Sequence, residues 1–161
     1  VVHEILQIAF GWTDSHLHGF EVGAVHFGMA DVENELLIVD ECFAPLGAVA
    51  NNGDTFDFGD GWEHDVLVEE VNEETMEVRV ACLDGARAGP PEDCGGTPGY
   101  ENLVAALTNP KHPDRAELRA WVGRGYDPEK FDLARVNKKL AAIEKRLVKA
   151  RTMALKAAER R

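Results

Sequence analysis

The sequence has no apolar run approaching the roughly 20 residues that cross a bilayer as a helix, and no basic-then-apolar leader. It predicts no membrane-spanning helix and no secretory address. Cysteine is scarce and odd in number, at Cys42, Cys82 and Cys94, which points to a reducing, cytoplasmic setting and away from a disulfide framework. With no CxxC pair there is no basis for a zinc ribbon. Serine occurs only as Ser15, and neither a nucleophile elbow nor a phosphate-cradling glycine loop is present. Positive charge is the scarcer sign: 17 Lys and Arg against 29 Asp and Glu give 161 residues a net charge of −12. Such a field opposes binding of nucleic acid by the body of the chain.

What is present is ordinary for a folded domain, with 45% hydrophobic and 29% charged residues. The length suits one domain with a core of its own. Val1–Phe10 has helical spacing with no capping residue before it, so the natural start is expected to lie upstream. Gly11 suits the end of that helix. Short strands are expected at His16–Val22 and Ala24–Phe27 across a turn at Gly23. Leu36–Val39 is a third apolar stretch, and Phe43–Ala50 has a turn or two of helical spacing.

Thr55–Phe58 and Glu63–Val71 read as strands around Gly59-Asp60-Gly61. A turn at Asn72-Glu73-Glu74 leads to Met76–Cys82, where Met76, Val78, Val80 and Cys82 alternate with Glu77, Arg79 and Ala81 as in a half-buried strand. Residues 83–99 contain five Gly and three Pro, too many for a regular element. Helices are expected at Tyr100–Leu107 and Asp114–Val122, the latter with Leu118, Trp121 and Val122 inward.

The last helix is expected from Leu133 to about Arg161 with Asp132 as its cap. Val136, Leu140, Ile143, Leu147, Ala150 and Ala154 form a 4-3-4-3-4 seam that weakens where Ala replaces Leu. Ten Lys and Arg against two Glu give this segment +8, and the preceding 132 residues total −20. Lys138, Lys139, Lys145, Arg146, Lys149 and Arg151 are therefore candidates to meet an acidic surface or nucleic acid, unless the helix is simply solvated or dimerises along its seam. The expected organisation is an α+β domain over 1–140, a small mixed or antiparallel sheet packed with helices, followed by a basic helical extension over 141–161.

Two segments concentrate polar chemistry: Gly11-Trp12-Thr13-Asp14-Ser15-His16-Leu17-His18 and Asp57-Phe58-Gly59-Asp60-Gly61-Trp62-Glu63-His64-Asp65. On a strand, His16 and His18 would share a face and with His64 could ligate zinc or another divalent metal. Packed imidazoles bonded to nearby backbone would use the same residues without a metal. Other motif matches fail. Asp57-Phe58-Gly59 lacks the other kinase signatures, and Asp54, Asp57 and Asp60 have the wrong spacing for a calcium loop. Cys82 and Cys94, at the ends of a Pro- and Gly-rich loop, are expected as plain thiols held near one another.

Gly11–His18, Asp57–His64 and Pro-Pro-Glu-Asp-Cys-Gly-Gly at Pro90–Gly96, in that order, resemble the plasmid pRiA4b ORF-3-like family, some of whose members are labelled TnpR-like passenger proteins of insertion elements. The resemblance covers roughly residues 1–140. It implies a compact α+β domain from bacteria or archaea, with a strand pair before the first helix that this chain lacks. At Gly89 the family often has Cys. The resemblance brings no established activity, and recombinase chemistry conflicts with the −20 charge around Ser15. The resulting expectation is a non-catalytic binding module for an unknown protein or small ligand, using Trp12, Asp14, His16, His18, Asp57, Asp60, Trp62, Glu63, His64, Glu92 and Asp93. The alternatives are a metal-dependent hydrolase-like enzyme with Asp60 or Glu63 as base, and an accessory nucleic-acid binder acting through the last helix.

Overall fold

A computed structural model describes residues 1–28, 38–40, 53–57, 60–70, 77–158 and 160. Its elements are α1 (Val2–Phe10), β1 (His18–Val22), β2 (Val25–Gly28), β3 (Ile38–Asp40), β4 (Gly53–Asp57), β5 (Glu63–Val66), α2 (Gly96–Thr108), α3 (Arg115–Val122) and α4 (Leu133–Ala158). The fold is α+β. Cys42, the Phe43–Ala50 segment and the turn expected at 72–74 lie outside the described residues. Backbone contacts gather the chain into two compact units. One comprises Val1–Thr13, Glu74–Pro91 and Val104–Arg161; the other comprises Asp14–Glu73 and Glu92–Leu103.

The first unit is built on α4. Val136, Leu140 and Ile143 are buried, and Ile5, Ile8, Val80, Cys82, Phe131 and Leu147 pack on them. The apolar seam is thus the buried face, and it ends where the sequence turns to Ala. Asp132 caps the helix, its Oδ1 accepting from the Arg135 N–H at 2.9 Å. The helix runs unbroken through residues 140 and 141. α1 ends at Gly11, whose φ of 86° is the left-handed conformation a helix-terminating glycine adopts. Arg115 donates to the carbonyls of Ala106 and Leu107, which satisfies the exposed end of α2. On α3 the expected inward face is only partly realised, since Trp121 is 49% exposed.

The strand expected at Met76–Cys82 is corrected. Among the described residues, 77–82 form no strand and pair with none, although Val78, Val80 and Cys82 are half-buried and Glu77, Arg79 and Ala81 exposed. Side chains of α4 take the place of a neighbouring strand. Asn137 accepts from the Cys82 N–H at 2.8 Å and donates to the Cys82 carbonyl at 2.9 Å, while Glu144 accepts from the Val80 N–H at 2.9 Å. These three backbone groups are therefore satisfied without a ladder.

Arg146 binds Glu4 of α1 with both guanidinium nitrogens, Nη1 to Oε1 at 2.8 Å. Its hydrogen bond holds the Glu4 carboxyl below the ordinary value, against the upward effect of burial. A carboxyl lowered on folding stabilises above its unfolded value and ceases to do so as pH falls through the folded one. The stability gap between wild type and Arg146→Ala is expected to be small, as for exposed pairs, and to close as pH falls below the ordinary glutamate range in chemical-denaturation series.

The second unit holds a five-stranded sheet in the order β3-β2-β1-β4-β5. β3 is parallel to β2, and the other pairs are antiparallel. Gly23, at φ 63°, makes the tight β1–β2 turn that aligns Val22 with Val25. β1 begins at His18, not His16, and β5 ends at Val66, not Val71.

Candidate functional site

The polar segments singled out in the sequence are largely gathered in the sheet unit. The β1–β4 ladder sets His18 opposite Asp57, and the β4–β5 ladder sets Thr55 opposite His64. Because β4 pairs with both, the imidazole-bearing strands are one strand apart. The turn at 92–95 is tied to both segments. Glu92 Oε1 accepts from the Ser15 N–H at 3.3 Å, and His16 Nε2 lies 2.9 Å from Asp93 Oδ1. Asp60 holds the other side of the turn, with Oδ2 accepting from the Cys94 N–H at 3.1 Å and Oδ1 from the Gly95 N–H at 3.3 Å.

Local chemistry makes this arrangement possible. Asp93 takes φ 60°, and Gly95 and Gly96 take 87° and 64°, conformations that permit three successive bends before α2. A Cβ at Gly96 would meet the Asp60 carbonyl oxygen, so the close approach of these two segments requires glycine. α2 starts at Gly96, four residues before the expected Tyr100, because Pro98 suits a first helical turn. Burial, and then the neighbouring Asp60 carboxylate, push the Cys94 thiol up to about 11. It is therefore protonated at neutral pH and a poor nucleophile or metal ligand.

Next to this knot stands Trp62. Its ring meets Tyr100 edge-on, with centroids 6.0 Å apart at 79°. Its Nε1 is buried and has no hydrogen-bond acceptor among the described residues. His64 Nε2 is equally shielded from solvent, whereas Glu63 is exposed. Tyr100 was missed in the sequence reading as a site residue; the available signal was an aromatic directly after a Gly-rich turn.

Trp12 belongs to the first unit, where its Nε1 donates to the Pro90 carbonyl at 2.7 Å and its ring lies 4.8 Å from Phe10. Cys82 also belongs there, its Sγ donating to the Asp84 carbonyl at 3.1 Å, while Cys94 lies in the sheet unit. Among the described residues, His16, His18 and His64 do not form a group with ligand atoms within 4.8 Å of one another. The reason is local: His16 precedes the strand, so the alternation that would align it with His18 does not apply, and its Nε2 faces Asp93. Within the sheet unit, Asp14 and His18 do bring a carboxylate oxygen and a ring nitrogen within 4.8 Å.

The basic residues proposed for an acidic partner all lie on α4. Lys138, Lys139, Lys145 and Lys149 are exposed, Arg151 is half-buried, and Arg146 is engaged by Glu4.

Comparison with known proteins assigns this arrangement to a group. The model of the plasmid pRiA4b ORF-3-like proteins matches residues 1–135. The chain belongs to that family. It is 36% identical over 144 residues to the uncharacterised protein y4hQ of Sinorhizobium fredii, covering 85% of this chain and 74% of that protein. A crystal structure of MM3350 from Methanosarcina mazei Go1, a protein of unknown function, is similar at a TM-score of 0.69 and 29% identity. That likeness covers 83% of this chain and 79% of the other. At Gly89, the space a Cβ would fill lies 2.8–2.9 Å from the Cα and carbonyl carbon of Phe10. Gly89 therefore lets the end of α1 lie directly on the loop, and its carbonyl accepts from the Tyr126 hydroxyl at 3.1 Å. The family match ends just inside α4, so most of the basic helix lies beyond it.

Proposed function

We propose that this family member is a non-catalytic, cytoplasmic binding module whose ligand seats beside Trp62 in the sheet unit. The observation that carries this reading is the buried Trp62 Nε1 with no acceptor among the described residues. A buried N–H left unpaired costs about 1–3 kcal/mol, and native proteins seldom keep one without use. A ligand oxygen would remove the cost, and Tyr100 supplies an aromatic wall. The ligand is a neutral or cationic group presenting a carbonyl, since the surrounding acidic residues repel an anion.

Binding is favoured over catalysis by the engagement of the reactive groups. Both Asp60 oxygens hold backbone N–H groups, His16 faces Asp93, and the Cys94 thiol is protonated. These contacts build a rigid turn; none leaves a free general base at the turn.

Trp62→Phe separates the donor from the ring. It is expected to stabilise the ligand-free protein by about 1 kcal/mol in urea denaturation, because an unmet donor is removed while most of the ring packing stays. In wild type, the Trp62 indole N–H resonance is expected to shift when acetamide or N-acetyl-lysine amide is titrated. If Trp62→Phe is destabilising and neither amide moves the resonance, the proposal fails.

A further inference from the structure

The two units differ sharply in charge. Asp14–Glu73 with Glu92–Leu103 contains 18 Asp and Glu and no Lys or Arg; the other unit contains all 17 Lys and Arg with 11 Asp and Glu. Their net charges are −18 and +6. Acidity that served solubility alone would be spread over both. Within the sheet, register places Glu21, Asp54 and Asp65 on one rung of three adjacent strands. This unit holds no Lys or Arg to offset its carboxylates.

The complementary surface is on α4. Lys138, Lys145, Lys149 and Lys156 follow one another at seven, four and seven residues, which at 100° per residue keeps them within about 40° of arc along roughly 27 Å. All four are exposed. They lie opposite the Val136–Leu140–Ile143–Leu147 seam. Glu144, the one acidic residue of Leu133–Ala158, is turned to the Val80 N–H. Beyond Leu147 the helix has no buried residue, and it exposes Val148 (45%), Met153 (62%) and Leu155 (50%).

We propose that this stretch of α4 docks on the acidic sheet unit of a second copy of the same chain, its lysine stripe against the carboxylates. Charge complementarity selects the occupant. A protein surface fits better than a duplex because the stripe is flanked by exposed aliphatic residues, which phosphates leave unburied, and the sheet unit offers the exposed Leu67 (66%) directly after Glu63 and Asp65. A nucleic acid would also be brought against a chain of net charge −12.

Sedimentation velocity of the full chain tests this. A species larger than the monomer is expected at about 50 mM NaCl and monomer alone at about 0.5 M, where the Debye length falls to a few ångströms. The triple variant Lys145→Glu, Lys149→Glu, Lys156→Glu, with helicity checked by circular dichroism, is expected to weaken association by at least about tenfold. Mixing it with Glu63→Lys, Asp65→Lys is expected to restore a heterologous pair. Monomer at every salt concentration, association that the triple variant leaves unchanged, or failure of the mixture to pair would overturn the proposal. So would a monomeric wild type whose stripe instead shifts duplex DNA in a salt-dependent way. The Trp62 site is judged separately, by the indole N–H resonance of the wild-type chain.

Discussion

Gly99→Ala is expected to lower stability by about 3 kcal/mol, roughly 10 °C in melting temperature for a chain of this size. Gly99 stands in the first turn of α2, where its N–H donates to the Gly95 carbonyl at 3.2 Å. A Cβ there would overlap the Cys94 carbonyl oxygen and come within 2.8 Å of its carbon. Both neighbours are backbone, so no side chain can rotate away, and relief requires the 94–99 segment to open. That segment is held by Asp60 through Cys94 and Gly95. Opening it strains the knot that positions Trp62 and Tyr100, so a change in tryptophan emission should accompany the lower melting point. Gly125→Ala is the control: a Cβ there meets nothing within 4 Å, and a change below about 0.5 kcal/mol is expected. Equal losses at the two positions would contradict the packing of Gly99 on Cys94.

Helices α1 and α4 were legible because their signals are local: Gly11 after an apolar face, and a seam ending where Ala replaces Leu. The β1–β2 hairpin was legible from Gly23. The segment 77–82 was misread because alternation reports only which side is buried. It does not say whether the backbone bonds to a strand or, as here, to Asn137 and Glu144. The candidate site was legible as a set of residue types, but the division of labour within it was not. Asp60 looks like a base or ligand in sequence, yet its oxygens cap a turn 34 residues away. Trp12 and Trp62 look equivalent beside their glycines. Only in the fold does one indole N–H gain an acceptor at Pro90 while the other has none among the described residues.

A second large effect is expected in the other unit. Leu140→Ala should destabilise by about 2–5 kcal/mol, the range for emptying a leucine-sized site in a packed core. Leu140 is 1% exposed and lies at the middle of the buried face of α4, between Val136 and Ile143. Ile5 and Ile8 of α1, with Val80 and Cys82, pack on the same cluster, so no single neighbour can move to fill the space without leaving another contact. The described core of this unit is small, which makes each methylene a larger share of a total that is only about 5–15 kcal/mol. Urea denaturation should show a lower midpoint with an unchanged slope if the unfolded state is unaltered. Leu155→Ala, eight residues beyond Leu147 and 50% exposed, should change the midpoint little at high salt. A Leu140→Ala protein as stable as wild type would mean that α4 is held by its surface ion pair with Glu4 and not by its apolar seam, a result at odds with how little exposed pairs contribute.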